Sequence, residues 1–434
     1  MAPQTSRRTA LILITSLFFL WGFLTVWVDS LIPRLRDVFT LTYFQAGLVQ
    51  FAFFGAYFLL SIPAGFILSR IGYKRGIILG LAIMGLGALL FWPAASFRVF
   101  GLFMLAYFTL AGGMTVLQVA ANPYVAVLGD AEGASSRLNL AQAFNSLGTA
   151  IAPAMGAMFI LSDHIKTPDE IASLGDIARE AYYAAEAAAV QQPFVLIALL
   201  ILALAVGFFF IKLPELMKSD HKHGYLDLLK DRRLMLGAIG IFVYVGAEVA
   251  IGSYLVNYFK DLGLAERILN TPAMRQIGNL VLNGNIDSVD AKAVVAAFVT
   301  FYWSGAMVGR FIGAYLTRAF APARILAIFA MGAISLILIS MNSAGFIAMW
   351  SILGVGLFNS IMFPTIFTLS IDHVGDLKPQ ASGILCTMIV GGAIVPPLFG
   401  LMTDHYGFQT AMALLIICYA FIAYLAGRVF RLSL

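Results

Sequence analysis

Charged side chains are scarce in this sequence. Lys, Arg, Asp and Glu make up 11% of the 434 residues, whereas about 25% is usual in a soluble protein. A soluble globular domain is excluded, because so few charges cannot cover its surface. Intrinsic disorder is excluded as well, because 61% of the residues are apolar and disordered chains have the opposite composition.

Residues that hold metals or carry out catalysis are also few. The two cysteines, Cys386 and Cys418, lie inside apolar blocks, so neither a disulfide framework nor a metal site is expected. The sequence has no nucleophile–base pair, metal-ligand cluster or nucleotide-binding loop, and we expect neither an enzyme nor a bound cofactor. The net charge of +5 comes from short loops between apolar blocks and does not indicate nucleic-acid binding.

Long apolar blocks dominate what remains. Each has about 20 residues or more, enough to cross roughly 30 Å of hydrocarbon as a helix. Twelve such blocks are present, at about 10–32, 43–68, 75–95, 98–127, 138–161, 193–213, 234–258, 293–318, 323–342, 345–371, 379–403 and 406–430. The sequence therefore predicts an all-α membrane protein with twelve transmembrane helices.

The basic residues predict the orientation of these helices. Twelve spans place both termini on one side, and that side carries twice as many of the 27 Lys and Arg residues as the other. The positive-inside rule then predicts cytoplasmic termini in an integral plasma-membrane protein, expected in a bacterial inner membrane. On the outside, the Ala-rich run 180–186 is expected to form a short surface helix.

The two halves of the sequence resemble each other. After spans two and eight a glycine precedes an arginine at the same spacing, as Gly65–Arg70 and Gly313–Arg318. Spans five and eleven share the patterns Gly148, Pro153, Gly156 and Gly392, Pro397, Gly400. We predict an N-terminal six-helix bundle at 1–213, a basic cytoplasmic linker at 214–233 and a C-terminal six-helix bundle at 234–434, with a site at the pseudo-symmetry axis.

Two acidic residues lie inside predicted spans, where charge is costly. Asp29 is in span one, and Glu248 is in span seven, the repeat partner of span one. Asp29 is either an interfacial carboxylate or a functional group, and Glu248 either forms a structural hydrogen bond between helices or has a function. A functional carboxylate would carry a proton, bind a cation or accept sugar hydroxyls, and we expect both residues to couple cation movement.

Neutral amides are unusually frequent inside the spans. They follow helical spacing on spans four and five, and amide groups match the hydroxyls of a sugar. Span eight adds Tyr302 and Trp303 as an aromatic face for a pyranose ring. Each single residue has the alternative of interhelical hydrogen bonding or packing. The predicted substrate-binding set is Gln118, Asn122, Gln142, Asn145, Asn359, Trp303 and Phe363.

Glycines and cations at the loop after span two predict a conformational latch. The glycines allow close helix approach, and the cations can cap helix C-termini or pair with acids in a neighbouring loop. We assign this role to Gly65, Arg70 and Arg75, and to Arg310 in the second half.

These residues carry a resemblance. The segment Gly65–Arg75 is similar to the loop motif of the major facilitator superfamily, with Ser69 where an aspartate is common. More narrowly, the chain resembles the fucose/glucose/galactose permease family over nearly its whole length outside two external loops. The matching segments are Phe19–Gly22, Asp29–Pro33, Gln45–Gln50, Ala120–Pro123, Leu138–Asn145 and Met362–Phe367. The resemblance implies two six-helix bundles flanking one central cavity, and alternating access.

The resemblance also implies roles for particular residues. Fucose permeases take up sugar with a proton; their key span-one aspartate falls on Asp29, and their span-five Gln and Asn fall on Gln142 and Asn145. This chain departs from them, because Gln118 replaces a span-four acid and Glu248 replaces a glutamine. Both departures resemble the glucose/galactose branch, in which some relatives use sodium.

We therefore expect proton-coupled uptake of a hexose such as glucose, galactose or fucose. Sodium coupling and an uncoupled facilitator are the alternatives, and the amide-rich spans argue against an exporter of amphipathic drugs. The expected partners are a small-molecule sugar and membrane lipid, with no nucleic acid. The protein is expected to act as a monomer, with a proton or Na⁺ as coupling ion and no metal or other cofactor.

Overall fold

The fold is taken from a computed structural model. The structure describes residues 6–38, 43–160, 171, 173–216 and 224–429, and the side chains of residues 6–26, 48–49, 51–152, 171, 173–185, 191–216 and 224–428. Within these ranges the chain forms helices and no strand.

The first half contains six long helices. They are α1 Arg7–Val38, α2 Tyr43–Ile71, α3 Tyr73–Phe97, α4 Phe100–Val127, α5 Ala134–Ile160 and α6 Asp176–Phe210. Helix α6 begins well before the predicted sixth span, so the Ala-rich run 180–186 is its first part. The expectation of a separate surface helix is wrong, because Ala-rich sequence propagates a helix and Pro193 is accommodated inside it.

The second half contains both long and short helices. They are α7 Tyr225–Lys230, α8 Arg232–Asp261, α9 Leu264–Leu269, α10 Pro272–Leu282, α11 Ala291–Ala319, α12 Pro322–Met341, α13 Gly345–Asn359, α14 Met362–Ile371, α15 Lys378–Thr387 and α16 Gly391–Tyr424. Helix α16 includes a kink at Gly407, whose φ of 79° is open to glycine but costly for other residues.

The described residues contain ten helical segments that are long and apolar enough to cross a membrane. The last of them, Gly375–Arg428, includes the predicted spans eleven and twelve, which meet near the Gly407 kink. The predicted fifth span corresponds to α5, and the predicted tenth span is divided into α13 and α14. All twelve predicted spans are therefore helical, and the predicted all-α membrane fold is confirmed.

The chain divides into two compact units that do not follow the two sequence halves exactly. The first unit consists of Met1–Gly129, Phe144–Tyr225 and Val374–Thr387, and the second of Asp130–Ala143, Leu226–His373 and Met388–Leu434. Each unit therefore includes a short segment from the other half of the sequence. The domain boundaries that we predict at residues 213 and 234 describe the sequence repeat, and they stay a prediction.

Within each unit, glycines allow helices to approach closely. In the first unit, a Cβ on Gly80 of α3 would lie 2.7 Å from the backbone nitrogen of Leu117 on α4. In the second unit, a Cβ on Gly391 of α16 would collide with the carbonyl oxygen of Phe242 on α8. Small residues at helix contacts are the usual way in which membrane helices gain packing energy.

Candidate functional site

A carboxylate and a guanidinium lie close together inside the second unit. Glu248 of α8 and Arg310 of α11 are both partly accessible, and their charges interact electrostatically. Tyr244, one helical turn before Glu248, is buried with its hydroxyl beside the carboxylate. Residues four apart share a helix face, so α8 presents the phenol and the carboxylate in the same direction.

Two further tyrosines and an amide complete this cluster. The Asn359 Nδ2 atom of α13 donates to the Tyr302 hydroxyl of α11 at 2.7 Å, and both residues are fully buried. The Tyr419 hydroxyl of α16 lies near Asn359 and Glu248. Among the described residues, the Oδ1 atom of Asn359 has no hydrogen bond of normal geometry. We call Tyr244, Glu248, Tyr302, Arg310, Asn359 and Tyr419 the tyrosine–carboxylate cluster.

Arg310 also holds backbone atoms in place. Its Nε donates to the carbonyl oxygen of Ser360 at 3.2 Å, and its Nη1 lies 3.5 Å from the carbonyl oxygen of Gln142. Arg310 therefore lies beside Glu248, and its expected part in a conformational latch of the second half stays a prediction. A guanidinium forms several hydrogen bonds at once, which suits this bridging position.

The first unit contains its own buried amides, on α4. The Tyr57 hydroxyl donates to Oε1 of Gln118 at 2.8 Å, so this predicted sugar ligand already has a protein partner. Asn122, one turn further along, is fully buried, and within the described residues neither of its amide atoms has a hydrogen-bond partner. A buried amide without partners is costly, so Asn122 retains hydrogen-bonding capacity for a ligand or water.

The predicted amide face of α5 is divided between the two units. In the second unit, Asn139 donates to Thr365 Oγ1 at 3.2 Å, and the Gln142 side chain is buried. In the first unit, Asn145 donates to the carbonyl oxygen of Phe18 on α1 at 2.9 Å. Asn139 and Asn145 therefore join helices to each other, which was the alternative reading for each single amide.

The two predicted aromatic contacts occupy different surroundings. Trp303 is 49% exposed and packs edge-on against Tyr302, with ring centroids 5.0 Å apart. Phe363 is buried and stacks on Phe367 of the same helix. Neither ring belongs to the tyrosine–carboxylate cluster, whose aromatic members are phenols. Asp29 is in helix α1, but its side chain lies outside the described residues.

Three of the predicted latch residues, Gly65, Arg70 and Arg75, belong to the first unit near the junction of α2 and α3. A Cβ on Gly65 would lie 2.7 Å from the carbonyl oxygen of Pro379 and 2.9 Å from the Tyr225 hydroxyl, which donates to Ile62. Arg70 lies over the ring of Phe66 at 4.1 Å from the ring centroid, and it forms no ion pair within the described part of the chain. Position 69 is a serine that donates to the Phe66 carbonyl. The glycine therefore permits a close helix contact.

Ion pairs mark the loop ends of the second unit. Asp231 accepts a hydrogen bond from the Leu234 backbone N–H at the start of α8, and its other oxygen lies 2.7 Å from Nε2 of His373. Burial raises the pKa of Asp231, but these hydrogen bonds outweigh it and hold the pKa below its usual value. Arg318 contacts Asp130 at 3.3 Å.

Sequence reasoning missed Tyr244 and Tyr419 as members of the cluster. Tyr244 precedes Glu248 by one helical turn, and this spacing could have revealed it. Tyr419 lies in an apolar run of the last span, and nothing in its sequence surroundings separates it from a packing residue. Its position depends on how α16 packs against α8, which is a tertiary contact.

Comparisons with known proteins give consistent matches over most of the chain. Residues 9–389 match the family model described as Major Facilitator Superfamily. A protein of Brucella abortus named glucose/galactose transporter is 48% identical over 428 residues, which cover 98% of this chain and 94% of the relative. The L-fucose-proton symporter of Escherichia coli is 36% identical, over 94% of this chain and 90% of the relative.

The fold is similar to a solved structure as well. A crystal structure of the E. coli fucose:proton symporter superposes with a TM-score of 0.85 at 33% identity, covering 97% of this chain and 98% of that chain. The human organic anion transporter MFSD10 has a TM-score of 0.67 at 15% identity, a likeness of fold alone.

Proposed function

Because the chain belongs to the Major Facilitator Superfamily and is an integral membrane transporter, we propose that it takes up a hexose by symport with a cation. The names of two relatives, glucose/galactose transporter and L-fucose-proton symporter, support a sugar as substrate. The observation that carries the proposal is the tyrosine–carboxylate cluster, since ionisable groups within a membrane span are costly and mark transport sites.

The tyrosine–carboxylate cluster has the groups that sugar binding and cation coupling need. Phenol and amide groups can donate to and accept from sugar hydroxyls, and Asn359 has an unused acceptor among the described residues. Glu248 provides the negative charge that a proton or Na⁺ would compensate. In the first unit, Asn122 offers a second set of unused amide atoms.

The proposed coupling depends on charge balance at Glu248 and Asp29. While the Glu248 carboxylate is ionised, it faces the Arg310 guanidinium and holds it in place. Binding of a proton or cation would weaken that attraction and free Arg310 to rearrange with its backbone partners. Such a ligand shifts a conformational equilibrium only by binding one state better than the other. We propose that this difference links the ion gradient to sugar accumulation.

We propose that the protein takes up glucose or galactose together with a proton. We place it in the cytoplasmic membrane, with both termini in the cytoplasm. The departures at Gln118 and Glu248, together with the relative at 48% identity, favour these hexoses over fucose. Sodium coupling is the second candidate, because a carboxylate beside phenol and amide oxygens also suits Na⁺. An uncoupled facilitator would use the same contacts without a gradient.

The test is uptake of labelled glucose into proteoliposomes under separate gradients. A proton gradient alone should drive accumulation, and unlabelled galactose should compete more strongly than fucose. Accumulation under a sodium gradient alone would contradict the proton and favour the second candidate. Equilibration under both gradients would contradict symport, and no uptake of any hexose in a competition panel would contradict the sugar itself.

A further inference from the structure

A basic cavity lies in the first unit, at the end where α2 and α3 meet. It has a volume of about 470 Å³ and shares no lining residue with the tyrosine–carboxylate cluster, which belongs to the second unit. Four cations line it, Arg70, Lys74, Arg75 and Lys212, against one carboxylate, Glu215. A concave site with this excess of positive charge attracts anions.

Three of these cations have no ion pair among the described residues. Arg70 stacks on Phe66, and neither Arg75 nor Lys212 contacts an acid within the described chain. Lys74 donates a 2.9 Å hydrogen bond from Nζ to the carbonyl oxygen of Phe209. Among the described residues, the cavity therefore keeps an excess of positive charge.

The two sequence repeats differ in charge near this end. Arg318, the repeat equivalent of Arg70, pairs with Asp130. Positions 148 and 392 are repeat equivalents, and the same offset places Val374 opposite Asp130. The position of the carboxylate that pairs with Arg318 is therefore apolar in the first unit, and the one acid of that segment, Asp376, acts electrostatically on Tyr73 in the cavity wall.

The start of α3 adds backbone donors to the cavity. Gly72 is the N-cap residue, with φ of 81° and no side-chain cap, and the first backbone hydrogen bond of the helix runs from Gly76 to Gly72. The amide groups of Tyr73, Lys74 and Arg75 consequently have no partner within the helix. The N-terminus of a long helix carries partial positive charge and suits a phosphate group.

An apolar groove adjoins the cavity. It has a volume of about 290 Å³ and runs between α1 and α6, lined by Leu13, Leu17, Leu20, Leu200, Leu204 and Phe208. Ile211 also lines the groove and the next residue, Lys212, lines the cavity. A basic pocket with an adjoining apolar groove matches a phosphate joined to an acyl chain.

We propose that the basic cavity binds the phosphate group of an anionic phospholipid whose acyl chain occupies this groove. A soluble phosphate ester shares the phosphate chemistry but has no use for the groove. The two sources are therefore separable by changing the groove without changing the cavity.

The test uses the full-length protein in phosphatidylcholine vesicles, with thermal unfolding as the readout. Adding phosphatidylglycerol should raise the unfolding temperature in a saturable way. Arg75→Gln and Lys212→Gln should each raise the concentration needed by about tenfold, because each removes a charge-assisted contact. The matched control is Lys292→Gln, which removes an exposed cation at the start of α11 and should leave the response unchanged.

A second arm identifies the source of the phosphate. In detergent, inorganic phosphate is compared with chloride at equal ionic strength, and Ala203→Trp fills the groove. Loss of the phosphatidylglycerol response in Ala203→Trp, with the phosphate response kept, would support the lipid. A phosphate response without any phosphatidylglycerol response would overturn the lipid. Equal responses in wild type, Arg75→Gln and Lys212→Gln, or no response to either anion, would overturn the site.

Discussion

Replacing Glu248 by glutamine should separate coupling from binding. The change keeps the side-chain shape, replaces one acceptor oxygen by an NH2 donor and removes the charge that faces Arg310. We expect Glu248→Gln to lose accumulation against a gradient while it still exchanges labelled for unlabelled hexose. Arg310→Gln should retain the carboxylate but disturb the backbone contacts to Ser360 and Gln142.

The expected loss of stability follows from the solvent accessibility of Glu248 and Arg310. Removing one partner of a fully buried ion pair costs about 3–5 kcal/mol, because the other charge is left unpaired. Both Glu248 and Arg310 are partly accessible, so we expect about 1–2 kcal/mol of destabilisation in each single variant. The double variant Glu248→Gln with Arg310→Gln leaves no unpaired charge and should recover the part of this loss that comes from charge, whereas the backbone contacts of Arg310 stay lost.

The assay combines thermal unfolding with gradient-driven uptake and exchange in proteoliposomes. In the double variant we expect stability to recover in part and accumulation to stay lost, which separates a structural defect from lost coupling. Asp261→Asn is the matched control, because Asp261 is an exposed acid at the end of the same helix. Undiminished accumulation by Glu248→Gln would refute the coupling role of this carboxylate.

Three further changes test contacts around the site. Asn145→Leu removes the hydrogen bond to Phe18 and should destabilise the sugar-free protein by about 1 kcal/mol; a higher KM with unchanged thermal stability would instead make Asn145 a sugar contact. Asn359→Leu should cost about 1–3 kcal/mol by leaving the buried Tyr302 hydroxyl unpartnered, and adding Tyr302→Phe should cost less than the sum of the single changes. Asp231→Asn should destabilise the protein at neutral pH, because a lowered pKa means that the ionised carboxylate stabilises the fold. That stabilisation is present above the unfolded pKa of about 3.9 and is lost as pH falls through the lower folded value; a difference from wild type that does not shrink between neutral and strongly acidic pH would contradict this.

Hydropathy was sufficient for the fold because a bilayer imposes a simple rule. Every backbone group in hydrocarbon must be paired, so a long apolar block becomes a helix. This rule does not predict where a helix breaks inside an apolar block. The division near Ser360 between α13 and α14 lies four residues before Pro364, which has no N–H to donate to the Ser360 carbonyl, and Arg310 donates to that carbonyl instead.

The candidate site was only partly predictable from spacing. Glu248 stood out because charge is rare in membrane helices, and its surroundings in the structure include another ionisable group. The amides were harder, since the same residue type binds sugars and joins helices. Gln118 and Asn145 have protein partners, Asn139 and Asn359 each have a protein partner and one unused oxygen, and Asn122 has no partner among the described residues. Helical periodicity alone does not distinguish these cases.

The sequence repeat also relates the two short segments that are exchanged between the compact units. The segment Asp130–Ala143 belongs to the second unit, and Val374–Thr387 belongs to the first. These segments have the same offset as Gly148 and Gly392, so the two exchanged segments are repeat equivalents. The exchange is therefore symmetric, and spans five and eleven are both divided at the same repeat position.

This division has a physical consequence for the amide face of span five. Ser135 and Asn139 are bonded to Thr368 and Thr365 in the second unit, whereas Asn145 is bonded to Phe18 in the first. A movement of α5 in one piece would have to break one of these two sets. Either the Asn139 and Asn145 contacts exchange during transport, or the helix bends between them. Cross-linking cysteines placed at 139 and 365 would test the Asn139 set: full uptake while cross-linked would show that transport does not need to break it, and uptake that is blocked by the cross-link and restored by reduction would show that it does.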